Sequence, residues 1–189
     1  EKAMSEYLAM RFDAAAKAVK DVRASSDKKA ACQASFISDA SSLRVKDTEE
    51  ARKGLLKTLG KCYNTTVPVG NDTARMRVLA AAVLAERAAA AGRLTDLDEL
   101  ERIMKLDLPS DRMNVYDPGD VSGTKVVGTV KVQDYLALQR ARILVEAGRK
   151  ADAAPLLDRL DWSSGKTPWK GSVVSLNAAV GELRKKAGL

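Results

Sequence analysis

Ala147–Leu160 reads AGRKADAAPLLDRL, and fifty-six residues earlier Ala91–Met104 reads AGRLTDLDELERIM. Gly92 corresponds to Gly148, Arg93 to Arg149, Asp96 to Asp152 and Leu100 to Leu156, so one structural phrase is written twice. In each copy a glycine stands between two stretches whose apolar residues recur at helical spacing, the place where a left-handed residue ends one helix and turns the chain into the next. The phrase therefore predicts helical hairpins over about 73–106 and 132–160. Neither hairpin can bury its apolar face alone, and stacking against neighbours is how helical-repeat proteins solve that problem.

Toward the N-terminus, residues 2–24 place Met4, Leu8, Phe12, Ala15, Val19 and Val22 on one stripe and predict a single long helix. Ser25, Ser26 and Asp27 supply a break and an N-cap for a second helix over 28–43, with Cys32, Phe36 and Ile37 inward. Asp47 or Thr48 caps a third, TEEARKGLLKTLGKCY, with acids first and lysines last, as the helix dipole prefers. Tyr63–Asp72, with Pro68 and Gly70, reads as a loop, and so does the stretch from Asp161 to Ser172 that holds both tryptophans. Asp107–Lys131 has no helical period; alternation in 124–132 points to a short β-hairpin turning at Asp117–Asp120. A last helix is expected over 173–187. The fold class expected is all-α, a single domain of stacked antiparallel helical hairpins with one long irregular loop.

The residues Leu138, Ala141, Leu144, Ala147, Gly148, Ala153, Ala154 and Leu157, with a second set at Ala88, Gly92, Leu97 and Leu100, resemble the tetratricopeptide-like helical-repeat family. The resemblance covers about a third of the chain. It implies stacked antiparallel helices that bind a protein or peptide on a concave face.

The two cysteines, Cys32 and Cys62, form an even pair, as a single disulfide in an exported protein would require. If the second and third helices turn back near Val45, a rise of about 1.5 Å per residue puts the thiols within roughly one turn of the same height. Closing that loop would contribute about 3 to 4 kcal/mol. The sequence starts at Glu1 with no basic-then-apolar leader, which points to a removed signal or a trimmed chain. The expected location is periplasmic or secreted.

Histidine is absent, which removes the commonest general base, the usual zinc ligand beside cysteine, and every Ser-His or Cys-His nucleophile. Gly119, Gly123 and Gly128 lack the strand-to-helix setting of a phosphate loop. Asp96, Asp98, Glu99 and Glu101 read as dipole compensation on one short helix. Asp111, Asp117 and Asp120 lack the register of a calcium loop. No cofactor and no metal are expected, and the chain is read as no enzyme. Asn64-Thr65-Thr66 and Asn71-Asp72-Thr73 fit the glycosylation pattern, and turn chemistry explains them equally.

A net charge of +7 favours an acidic partner without selecting one. Lys53, Lys57 and Lys61 recur every four residues as one stripe, without the interleaved aromatics a nucleic-acid face would carry. No run of apolar residues is long enough for a membrane span. The function expected is a protein-binding module of the cell envelope, of adaptor or inhibitor type, meeting its partner through Lys53, Lys57, Lys61, Tyr116 of the long loop, Trp162 and Trp169. Two other classes stand beside it: a hydrolase working with carboxylates alone, and an envelope scaffold assembled as a homo-oligomer.

Overall fold

The computed structural model describes residues 2–70, 72–104, 111–120 and 122–189. It is mostly helical, 63%, as the expected all-α class requires in broad terms, and among the described residues it carries three two-stranded antiparallel hairpins where one was expected. The chain forms two compact units, one of Glu1–Val83 with Gly119–Lys125, the other of Leu84–Pro118 with Val126–Leu189.

In the first unit the predicted long helix is two short ones, α1 (Lys2–Leu8) and α2 (Phe12–Ala18), followed by a 3₁₀ turn over Val22–Ala24. The chain reverses at Met10, whose φ is 58°. Side chains five apart on an unbroken helix point about 140° away from each other. The break instead brings the Tyr7 and Phe12 rings edge to face at 5.5 Å, with Phe36 6.0 Å from Tyr7. Aromatic packing thus overrides the stripe. Next come α3 (Lys28–Val45) and α4 (Glu49–Cys62), as expected. Asp27 Oδ1 caps α3 by accepting from the Lys29 and Ala30 amides, and Thr48 caps α4 through the Ala51 amide. Phe36, Leu43, Leu55 and Leu59 are fully buried between these helices.

The stretch expected as a loop at 63–72 folds into a hairpin, β1 (Thr66–Val69) and β2 (Asp72–Arg75), pairing Val67 with Ala74 and Pro68 with Thr73. The long helix α5 (Met76–Ala91) follows, starting three residues later than expected.

In the second unit, α6 (Leu94–Met104) completes the first glycine-cornered hairpin; the expected continuation to Leu106 lies outside the described residues. Strands β3 (Arg112–Tyr116) and β4 (Val126–Lys131) pair across the long loop, with a turn wider than the expected Asp117–Asp120. The start of that loop, 107–110, lies outside the described residues. Helices α7 (Val132–Glu146) and α8 (Lys150–Leu160) form the second hairpin. The other expected loop is a third β-hairpin, β5 (Lys166–Trp169) and β6 (Ser172–Ser175), before α9 (Leu176–Ala187). Lys170 and Gly171, both at positive φ, make its two-residue turn. Helix α7 is buried almost all round, from Val132 through Tyr135, Leu138 and Ala141 to Val145, and α6, α8 and α9 pack on it.

The repeated phrase is part of a longer unit. Each β-hairpin is closed by the first amide of the following helix, which donates to the carbonyl just before the first strand: Met76 to Thr65 at 2.7 Å, Val132 to Asp111 at 3.0 Å, Leu176 to Gly165 at 2.9 Å. Each helix then ends at a left-handed glycine, Gly92, Gly148 and Gly188. Beyond the glycine the next amide reaches back five residues, Arg93 to Ala88, Arg149 to Leu144 and Leu189 to Arg184. The arginine and aspartate of the phrase explain each other: Arg93 pairs with Asp96 at 2.6 Å and Arg149 with Asp152 at 2.8 Å, a clamp across the corner into the first turn of the next helix.

Candidate functional site

Asp27 fixes where α3 begins, and a covalent bond holds that end beside the end of α4. Cys32 and Cys62 form a disulfide with their Cα atoms 5.7 Å apart. Lys28 and Lys29 stand four and three residues before Cys32, one helical turn away on the same side, and Lys61 immediately precedes Cys62. The three lysines meet at an open cleft of about 680 Å³ whose wall continues through Tyr63, Asn64 and Thr65. Among the described residues, no acidic side chain lines it. Gln33 Nε2 donates to the Thr66 carbonyl at 2.7 Å and fastens β1 beside the cleft. Tyr63 is stacked under the Arg77 guanidinium, 5.1 Å from its ring centroid.

The predicted lysine stripe divides. Lys53 is ion-paired with Glu49 at 2.5 Å. Lys57 is exposed one turn before Lys61, and only Lys61 reaches the cleft. Lys28 and Lys29 escaped the sequence reading; their spacing from Cys32 was the available signal.

At the other end of the same helix pair lies a second cleft, about 570 Å³, of mixed charge. Its floor is a crosslink rather than an open site: Arg23 donates to Ser38 Oγ at 2.9 Å and to Asp39 at 3.3 Å, and Thr58 donates to the second Asp39 oxygen at 2.5 Å.

The aromatic candidates also separate. Trp169 is buried, and its indole N–H donates to Glu182 Oε2 at 2.7 Å. Arg142 and Lys170 lie over its ring at 5.6 and 5.5 Å. Lys170 also pairs with Glu182, and that ammonium, followed by the indole N–H, lowers the Glu182 carboxyl below its ordinary range. This tryptophan is a structural anchor. Trp162, just past α8, is 93% exposed. Tyr116 ends β3 half-buried, at the irregularity in the strand register.

The acidic candidates have internal uses. Asp120 organises the long turn, accepting from the Ser122 amide and hydroxyl and from the Thr124 and Lys125 amides. These donors, the Ser122 hydroxyl first, lower its pKa to about 2. Asp98 and Glu101 both bind Arg140, at 2.8 and 3.0 Å, which joins α6 to α7. In comparisons with protein-family models, curated proteins and solved structures, nothing matches the chain.

Proposed function

We propose that the protein is a non-catalytic binding module whose partner is another protein, in an exported compartment. The observation that carries the reading is Trp162. Of two tryptophans, four tyrosines and two phenylalanines, it alone is an exposed side chain, at 93%. An indole left in water forgoes the burial that drives folding, and tryptophan is the residue most enriched among anchors that a partner covers. The excess of positive charge favours an acidic partner. The disulfide is compatible with a periplasmic or secreted setting, and no helix among the described residues is long and apolar enough to cross a membrane. The glycine-cornered helix pairs keep the tetratricopeptide-like resemblance as a working description of the binding scaffold.

The carboxylate-only hydrolase is the less favoured reading, because Asp98 and Glu101 are tied to Arg140 as an interhelical clamp. The test is a photo-crosslinker placed at Lys57 and at Arg159 in envelope extract, with and without Trp162→Ala. We expect a single protein adduct at Arg159 that the substitution abolishes while melting temperature stays unchanged. An adduct indifferent to Trp162, or turnover of a glycan by the purified chain, would overturn the proposal.

A further inference from the structure

We infer that the cleft beside the disulfide is a binding site for an oxyanion of the phosphate class. Charge and its covalent enforcement define this site, and Trp162 takes no part in it. Outside the cleft some described lysines, such as Lys53, Lys170 and Lys186, have a carboxylate within ion-pair distance and others, such as Lys57 and Lys150, have none; the cleft is set apart by three lysines lining one concavity. At the cleft Lys28, Lys29 and Lys61 have none among the described residues, and no acid lines the wall.

Like charges gathered in one cleft repel, and flexible helix ends would relax apart. Here the Cys32–Cys62 bond denies that relaxation by holding the two helix ends at 5.7 Å between Cα atoms. The first amides of α3 are already occupied by Asp27, so the attraction comes from the ammonium groups themselves. Asn64, Thr65 and Tyr63 add neutral polar groups around them. Three ammoniums match an anion of charge −2 or greater with oxygens pointing several ways, as a phosphate or pyrophosphate has; a single carboxylate would leave two of the three uncompensated.

The anion could be free or the headgroup of a lipid, and the experiment separates these. Inorganic phosphate, pyrophosphate and vesicles of phosphatidylglycerol in phosphatidylcholine are titrated into the disulfide-bonded protein at constant ionic strength. Binding is read from the backbone amide resonances of Lys28, Lys29, Lys61 and Thr65. We expect saturable shifts confined to those amides. The Lys28→Gln/Lys29→Gln/Lys61→Gln variant should bind at least about tenfold more weakly, while Lys53→Gln should change binding less than about twofold. Tighter binding to vesicles than to pyrophosphate assigns a lipid headgroup, and the reverse assigns a soluble anion. Lys61→Glu alone serves if the triple variant fails to fold, as judged by its helical circular dichroism. Absence of saturation with all three probes, or equal losses in the triple variant and in Lys53→Gln, would overturn the inference. Neither result bears on whether Trp162 anchors a protein.

Discussion

The indole N–H of Trp169 donates to Glu182 Oε2 across 2.7 Å, joining the tip of the third hairpin to the helix that follows it. A hydrogen bond to a charged acceptor contributes about 1.5 to 3 kcal/mol, less where water competes. With Trp162→Phe as background, Glu182→Ala should therefore cost about 1 to 2 kcal/mol and shift the emission of Trp169 to longer wavelength. Denaturant melts read the first effect and steady-state fluorescence the second. Unchanged values in both would show that the bond is incidental.

Gly165 lies at φ 138°, and a methyl group there would sit 2.4 Å from the Thr129 carbonyl oxygen. Backbone cannot swing aside as a side chain can. Gly165→Ala should cost about 3 kcal/mol, from the collision and the disfavoured φ together. At Gly92, φ 69°, nothing lies within 4 Å, so Gly92→Ala should lose only the left-handed penalty, about 1 kcal/mol. Thermal melts of the two variants should rank in that order; equal costs would mean that the hairpins do not approach as closely as described.

Acid should loosen the long turn before the helices. Asp120 titrates near 2 instead of 3.8 because the Ser122 hydroxyl and the neighbouring amides bind its ionised form. A carboxyl whose pKa is lower in the folded state stabilises that state fully above its unfolded pKa. The contribution fades as pH falls from about 4 toward 2. Glu182, held down by Lys170 and then Trp169, follows the same sign. Hydrogen exchange at the Thr124 and Lys125 amides should accelerate relative to intrinsic rates over that window, with Leu55 and Leu59 unaffected. Protection of Thr124 that stays flat to pH 2 would contradict the account.

Reduction of Cys32–Cys62 releases a constraint spanning 30 residues of sequence. The loop-entropy relation gives about 3 to 4 kcal/mol. The Cys32→Ser/Cys62→Ser variant should unfold at correspondingly lower denaturant, with an equal or steeper slope because its unfolded chain is freer to expand. A variant as stable as the parent would mean that packing of Leu55, Leu59 and Phe36 holds α3 to α4 without help.

How much of this was legible beforehand follows from the range of each interaction. The helix caps at Asp27 and Thr48, the glycine corners and the clamps Arg93–Asp96 and Arg149–Asp152 involve residues within a few positions of each other, so their spacing appears directly in the sequence. The cysteine pair followed from the same arithmetic of rise along two antiparallel helices. The β-hairpins were harder. Strands of four residues such as Thr66–Val69 carry little alternation, and Pro68 and Gly70 read equally well as loop. What closes them is a bond from the next helix to a carbonyl eleven or more residues back. The break at Met10 likewise answers to Phe36, far away in sequence.

Most of the helices, the caps at Asp27 and Thr48, the glycine corners and the cysteine pair were therefore readable from the chain alone, because turn and capping energies act over one or two helical turns, while the break at Met10 was not. Only the tertiary structure decided that Trp169 is an anchor and Trp162 a free surface. It alone also brought Lys28 and Lys29 to the same cleft as Lys61. Identical side chains acquire opposite uses once burial and neighbouring charge are set by segments that the local pattern does not contain.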